Sequence, residues 1–174
     1  MNRYIFCETQ SGETKKLRVH SFQIRVSAYG ILINKKNELL VLQSHLPLWE
    51  FPGGANEPNE SLHQSLVREF NEETGLTIKP KRLILERESF YLSPRKKTYH
   101  AFQHFFIVNY ISGKITETPI NLHSAIWLPI NQLNGNNMNK GAYQALQVLS
   151  RTYQRGEVID HGNSSWSGWS ERRG

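Results

Sequence analysis

The sequence predicts an α/β fold. Two segments with apolar residues at helical spacing, residues 60–74 and 138–154, stand among short apolar stretches that alternate at strand spacing or are rich in β-branched and aromatic residues. The 174 residues suffice for one domain of about 150 residues with a full core, and neither an internal repeat nor a linker between large domains interrupts them.

Tyr4 to Cys7 and Leu17 to Val19, separated by Ser11-Gly12, can pair as a hairpin within residues 1–19. Phe22, Ile24, Val26 and Ala28 then alternate with Ser21, Gln23, Arg25 and Ser27, the pattern of a strand with one buried face. Ile31 to Ile33, a turn over Asn34 to Asn37, and Leu39 to Leu42 form a further pair of strands.

After Pro58, Asn59 is placed to cap a helix over residues 60–74 whose first turn carries Glu60, and Gly75 is placed to end it in the left-handed conformation. Leu62, Leu66 and Glu73 share one sector of that helix, so its inner face turns from apolar to acidic along its length. Leu76 and Ile78, Leu83 to Leu85, and Ser89 to Leu92 read as strand pieces. A turn over Pro94-Arg95-Lys96-Lys97 and a long aromatic strand, Tyr99 to Tyr110, follow. Ser112-Gly113 turns the chain, Ile126-Trp127-Leu128 makes a last short strand, and Pro129 opens a helical turn carrying Leu133. Asn134 to Asn137 is a loop before the closing helix, residues 138–154, with Ala142, Leu146 and Leu149 on its stripe. The domain is expected over residues 1–155, with 156–174 as a flexible tail in which Trp166 and Trp169 are the residues able to dock.

The chain carries 21 Lys and Arg against 15 Asp and Glu, a net charge of +6, yet its most distinctive helix is acidic. That contrast suits an anionic substrate held over a metal site and leaves a nucleic-acid partner open. Cys7 is the only cysteine, which excludes an intrachain disulfide; the first residues lack a signal-peptide run, and no apolar run spans a bilayer. A cytoplasmic protein without a membrane role is expected.

The acidic helix carries Arg68-Glu69-Phe70-Asn71-Glu72-Glu73, which puts three carboxylates at i, i+3 and i+4 on one helix face. Like charges so placed repel, so a cation is expected among them, and an oxygen-only donor set favours Mg²⁺, Mn²⁺ or Ca²⁺ over zinc.

Gly54, then Glu60 after five residues, then Arg68-Glu69-Phe70-Asn71-Glu72-Glu73-Thr74-Gly75-Leu76 after seven more, resembles the signature of the Nudix hydrolases (MutT-like) at every specified position. Trp49-Glu50-Phe51-Pro52-Gly53-Gly54 is similar to the usual approach to that box. The resemblance implies an α/β/α sandwich with a mixed β-sheet between helices. It also implies hydrolysis, with Mg²⁺ or Mn²⁺, of the pyrophosphate in a nucleoside diphosphate linked to another group. Carried over by position, Glu69, Glu72 and Glu73 would ligate the metal, one of them preparing the attacking water. Arg68 would orient the cluster from behind, Glu60 would support the helix or the metal shell through water, and the Gly53 carbonyl would add a metal ligand. Some relatives take their base from outside the box, for which Glu117 and Glu88 are the candidates.

The glycines at 53 and 54 read as a loop that brings backbone close to phosphate. Trp127, and less firmly Trp49 and Phe51, read as core; Tyr91 and Tyr99 are candidates for base stacking; His100 and His104 read as ordinary strand residues. A nucleoside triphosphate or an oxidised nucleotide is the expected substrate, ahead of ADP-ribose and dinucleoside polyphosphates. The basic runs Lys79 to Arg82 and Arg95 to Lys97 motivate a second reading: an RNA 5′-end pyrophosphohydrolase, or a regulator that binds nucleotide or RNA without turnover.

Overall fold

A computed structural model describes residues 4–9, 13–18, 22–43, 47–93, 96–115 and 125–154. The expected turns at Ser11-Gly12 and Pro94-Arg95, the candidate Glu117 and the tail with Trp166 and Trp169 lie outside the described residues.

The main sheet contains β1 (Tyr4–Thr9), β2 (Thr14–Arg18), β3 (Gln23–Ile31), β6 (Gly53–Ala55), β7 (Leu76–Leu92) and β8 (Thr98–Gly113), in the order β2-β1-β7-β8-β3-β6. It is mixed. β1 runs parallel to β7 and β3 parallel to β8, while β1–β2, β7–β8 and β3–β6 are antiparallel. A smaller sheet orders β5 (Trp49–Glu50), β4 (Glu38–Gln43) and β9 (Ala125–Pro129) as β5-β4-β9. Helix α1 covers Leu62–Thr74 and α2 covers Lys140–Gln154, with a short 3-10 turn at Ile130–Gln132 after Pro129.

The pleat explains the layering. Successive residues of β3, β4 and β8 point to opposite faces, so Ile31, Leu39, Val41, Phe105 and Ile107 join one core with Ala142, Ala145, Leu146 and Leu149 of α2. Their neighbours Leu32, Leu40, Phe106 and Val108 join a second core with Leu66 and Phe70 of α1. These near-continuous apolar runs are what strands buried on both faces require, and the result is the α/β/α sandwich.

Several boundaries differ from the sequence expectation: β3 runs on through Ile31 and Ile33 makes only an isolated bridge to Leu39, so Ile31 to Ile33 is no separate strand, and α2 starts at Lys140. α1 starts at Leu62 under an Ser61 cap, not under Asn59: Gln64 and Ser61 form a reciprocal capping box, while Asn59 takes φ 71° in the preceding turn. The three pieces from Leu76 to Leu92 are one strand with register shifts at Thr77/Ile78, Pro80/Arg82 and Leu83/Leu85, so Pro80, which has no N–H to donate, lies at an irregularity. The aromatic strand runs on beyond Tyr110 to Gly113. Gly75 does end α1 in the left-handed conformation at φ 75°, its N–H donating to Asn71 O.

Candidate functional site

The acidic half of α1 is held close to the edge strand β6 by glycine. Beneath the helix, a Cβ on Gly30 would come within 2.8 Å of the Phe70 ring, so the bare backbone lets the helix settle on β3. At the edge, a Cβ on Gly54 would lie 2.5 Å from Glu69 Oε2, and one on Gly53, at φ 139°, would lie 2.2 Å from the Ala28 carbonyl oxygen. Both positions therefore need glycine, one for the approach of a carboxylate and one for the backbone turn.

Arg68 gathers the acids around it. Its Nε donates to Glu60 Oε1 at 2.7 Å and its Nη2 to Glu60 Oε2 at 2.9 Å, a bidentate pair; Nη1 donates to Glu69 Oε1 at 3.0 Å and Glu72 Oε2 at 3.4 Å. Nη2 also donates to the Ala55 carbonyl at 3.2 Å, which ties the helix to β6. The bond from Arg68 is the main reason the Glu60 carboxyl is held below its ordinary value, and Glu60 in return is the main reason the guanidinium is held firmly protonated.

Glu73 stands apart from this network. Its Oε2 accepts a 2.8 Å hydrogen bond from the Gly53 N–H. Burial pushes its carboxyl up to about 8; the Gly53 bond pulls the other way, and the charges of Glu69, Glu50 and Glu72 add to the rise.

Glu50, on β5, is close enough for its charge to act on Glu73. Its Oε2 accepts 2.9 Å from Asn139 Nδ2, and Trp49 is clamped by a 2.7 Å bond from its N–H to Asn137 O and a 3.0 Å bond from the Asn139 N–H to its carbonyl. The same Asn139 accepts from the Ala142 N–H at 2.8 Å and so caps α2. Glu50 also acts electrostatically on Tyr29 and Tyr91, both of whose hydroxyls are raised chiefly by burial. Tyr91 faces Tyr99 across β7 and β8 with ring centroids 6.3 Å apart, and the Arg25 guanidinium lies 5.9 Å from the Tyr99 ring centre. In register, Arg25, Ser27 and Tyr29 share a sheet face with Tyr99, Gln103 and Tyr91.

Of the residues picked out by sequence, Glu60, Arg68, Glu69 and Glu72 form one bonded cluster, Glu73 and Gly53 a second, and Tyr91 and Tyr99 a cross-strand pair. Glu88 is 2.5 Å from His100 Nε2 and sits, in register with Phe102, on the sheet face opposite to Tyr91. Phe51 is buried in the α2 core, Trp49 packs against that core and Trp127 against the other. Sequence reading missed Glu50, Tyr29, Arg25 and Asn139. For Glu50 alone a signal existed, a charge between two aromatics in Trp49-Glu50-Phe51. Among the described residues no three His, Cys, Asp or Glu side chains converge to hold a metal ion as they stand; Arg68 sits where the carboxylates meet. Nor is any described helix long and apolar enough to cross a membrane.

Comparison with known proteins gives the family and the fold. The model of the NUDIX domain matches residues 23–149, which span β3 to α2. An 8-oxo-dGTP diphosphatase of Buchnera aphidicola subsp. Schizaphis graminum is 36% identical over 104 residues, covering 57% of this chain and 74% of that protein. A Bacillus subtilis (strain 168) protein provisionally named an ADP-ribose pyrophosphatase is 31% identical over 104 residues, covering 60% of this chain; the chain spans only 50% of its length. Among solved structures, the MutT NUDIX hydrolase from Burkholderia pseudomallei superposes with a TM-score of 0.60 at 19% identity, over 73% of this chain and 98% of that one. At that identity the likeness is one of fold.

Proposed function

Because the chain belongs to the NUDIX domain family, we propose that it hydrolyses, with a divalent metal, the pyrophosphate bond of a nucleoside diphosphate linked to another group. Nucleoside triphosphates or their oxidised forms are the leading substrates and ADP-ribose the next. The observation that carries this reading is geometric: Glu69, Glu72 and Glu73 share one face of α1, Gly54 lets the Glu69 carboxylate approach β6, and the Gly53 N–H holds Glu73 Oε2 at the same edge.

The donor chemistry fits a hard cation. All the groups are oxygens, they lie at a glycine edge open to phosphate, and a divalent charge would relieve the repulsion that raises Glu73. Glu69, Glu72 and Glu73 would hold the ion, with the Gly53 carbonyl beside them; Arg68 bonds Glu69 Oε1 and Glu72 Oε2, so it can keep these while the other oxygen of each carboxylate serves the ion. When bound, Mg²⁺ or Mn²⁺ supplies positive charge against the phosphates and acidifies water. The chain's own part is positioning: Arg68 steadies Glu69 and Glu72 from behind and Glu60 steadies Arg68. Tyr91 and Tyr99 offer ring faces to a base. Glu50, in the field of Glu73, replaces Glu88 as the candidate carboxylate outside the helix. The Buchnera relative's name supports an oxidised nucleotide and the Bacillus one ADP-ribose.

A panel of nucleoside triphosphates, their 8-oxo forms and ADP-ribose, assayed with Mg²⁺ and Mn²⁺ on wild type and Glu72→Gln, tests this. Turnover by wild type and its loss in the variant is the expected result. No release of phosphate, pyrophosphate or nucleoside monophosphate from any member, or equal turnover by both proteins, overturns it.

A further inference from the structure

We propose that the outer face of the N-terminal hairpin is a stacking platform for single-stranded nucleic acid. β1 alternates sharply: Cys7 is buried, while Tyr4 and Phe6 on the other face are 53% and 65% exposed. Rings of that size gain about 1.5–3 kcal/mol by burial, so two side by side in water on a sheet surface mark a contact face.

The chemistry of that face selects the partner. In register, Arg18 lies opposite Tyr4 and Lys16 opposite Phe6, so both cations share the face of the rings, and the Lys16 ammonium stands 5.3 Å over the Tyr4 ring. Glu8 is the acid of this face among the described residues. It is bonded by Lys140 Nζ at 2.6 Å and by Arg87 Nη2, and so presents no uncompensated charge. Aromatic faces interleaved with cations, on a chain of net charge +6, fit a polyanion whose bases stack. An apolar protein surface would gain nothing from the cations, and an acidic peptide would leave both rings unused.

The platform is continuous with the Tyr91–Tyr99 pair, a link that rests on the function proposed above. Glu8 is the register partner of Tyr91, so Phe6 lies one strand over from β7 and two residues along, about 7 Å from Glu8. Beyond Tyr91 come Tyr99 and then Arg25 on the same face. A strand laid across β1, β7 and β8 meets Tyr4, Phe6, Tyr91 and Tyr99 in turn.

Fluorescence anisotropy with a labelled 12-nucleotide single strand, in RNA and DNA forms, against a duplex of the same length tests the proposal on the full chain. The expected result is binding of the single strands in preference to the duplex, weakened about tenfold by Tyr4→Ala or Phe6→Leu, kept by Phe6→Trp, and less salt-dependent in Lys16→Glu. These side chains are exposed, so melting curves and mononucleotide turnover should match wild type. No binding, equal binding of duplex, or unchanged binding by both aromatic variants overturns it. So does a dimer in sedimentation that Phe6→Leu dissolves without any effect on oligonucleotide. Oligonucleotide binding without nucleotide turnover would uphold the platform and sink the hydrolase reading, and the converse would do the reverse.

Discussion

The Gly53 amide donates to Glu73 Oε2 over 2.8 Å, joining the edge strand β6 to the last turn of the acidic helix. The two glycines of that strand should fail differently. Gly53→Ala meets a backbone carbonyl at a φ of 139° and should lower stability by about 1–3 kcal/mol in urea unfolding. Gly54→Ala meets the end of a flexible side chain, Glu69, so it should fold nearly as wild type and lose most of its turnover. Equal losses of stability in the two variants would contradict the distinction.

Arg68→Lys removes a bidentate fork while keeping the charge. A lysine reaches Glu60 or Glu69 but cannot bridge Glu60, Glu69, Glu72 and the Ala55 carbonyl together. The Mg²⁺ concentration for half-maximal activity should rise about 10- to 100-fold. An unchanged metal titration would show that Arg68 does not position the ligands.

Gly30 and Phe70 form a coupled pair, since an added Cβ would lie 2.8 Å from two ring carbons. Gly30→Ala alone should cost about 1–3 kcal/mol by overpacking, and Phe70→Leu a similar amount by loss of the ring. The double variant should be more stable than the sum predicts by about 1 kcal/mol, because leucine vacates the ring's space. Strict additivity in thermal unfolding would rule out the contact.

Glu8 sets an acid limit on the hairpin's attachment. Burial alone would raise its carboxyl, but hydrogen bonds from Lys140 and Arg87 outweigh that and hold it below the ordinary value. Because the folded value is depressed, the stabilisation is fully present above the unfolded carboxylate range, about pH 4.3, and is lost as pH falls through the folded value. Glu8→Gln should therefore be less stable than wild type by about 1 kcal/mol at pH 7, a gap that closes under acid. A gap independent of pH would mean the side chain contributes packing alone.

Much of this was legible in the chain. Leu39 to Leu42 and Tyr99 to Tyr110 read as strands because their apolar side chains serve both helix layers, whereas Ile31 to Ile33 makes no strand of its own; Gly75 read as a helix end because its left-handed turn needs glycine. The acidic cluster was legible because Glu69, Glu72 and Glu73 repel within one helix. Glu50 was legible only as a charge between two aromatics, and Tyr29 and Arg25 were not, since each acquires its place from partners far along the chain: Asn139 for Glu50, Phe105 for Tyr29, Tyr99 for Arg25. Glu88 looked suitable by composition, and only the register of β7 shows it on the opposite face, 2.5 Å from His100.

The clamp between Trp49 and residues Asn137 and Asn139 bears on the order of synthesis. The sequence of the acidic helix is complete by Thr74, yet Trp49 and Glu50 gain their last bonds only when Asn139 and the helix it caps have emerged. A nascent chain thus holds Glu50, Glu69, Glu72 and Glu73 before Asn139, or the Phe106 and Val108 that α1 packs against, have emerged, and a helix of 13 residues without its packing partners is marginal. Activity should arise late, with the final turns of α2, and the half-made enzyme has its charge in place before its geometry.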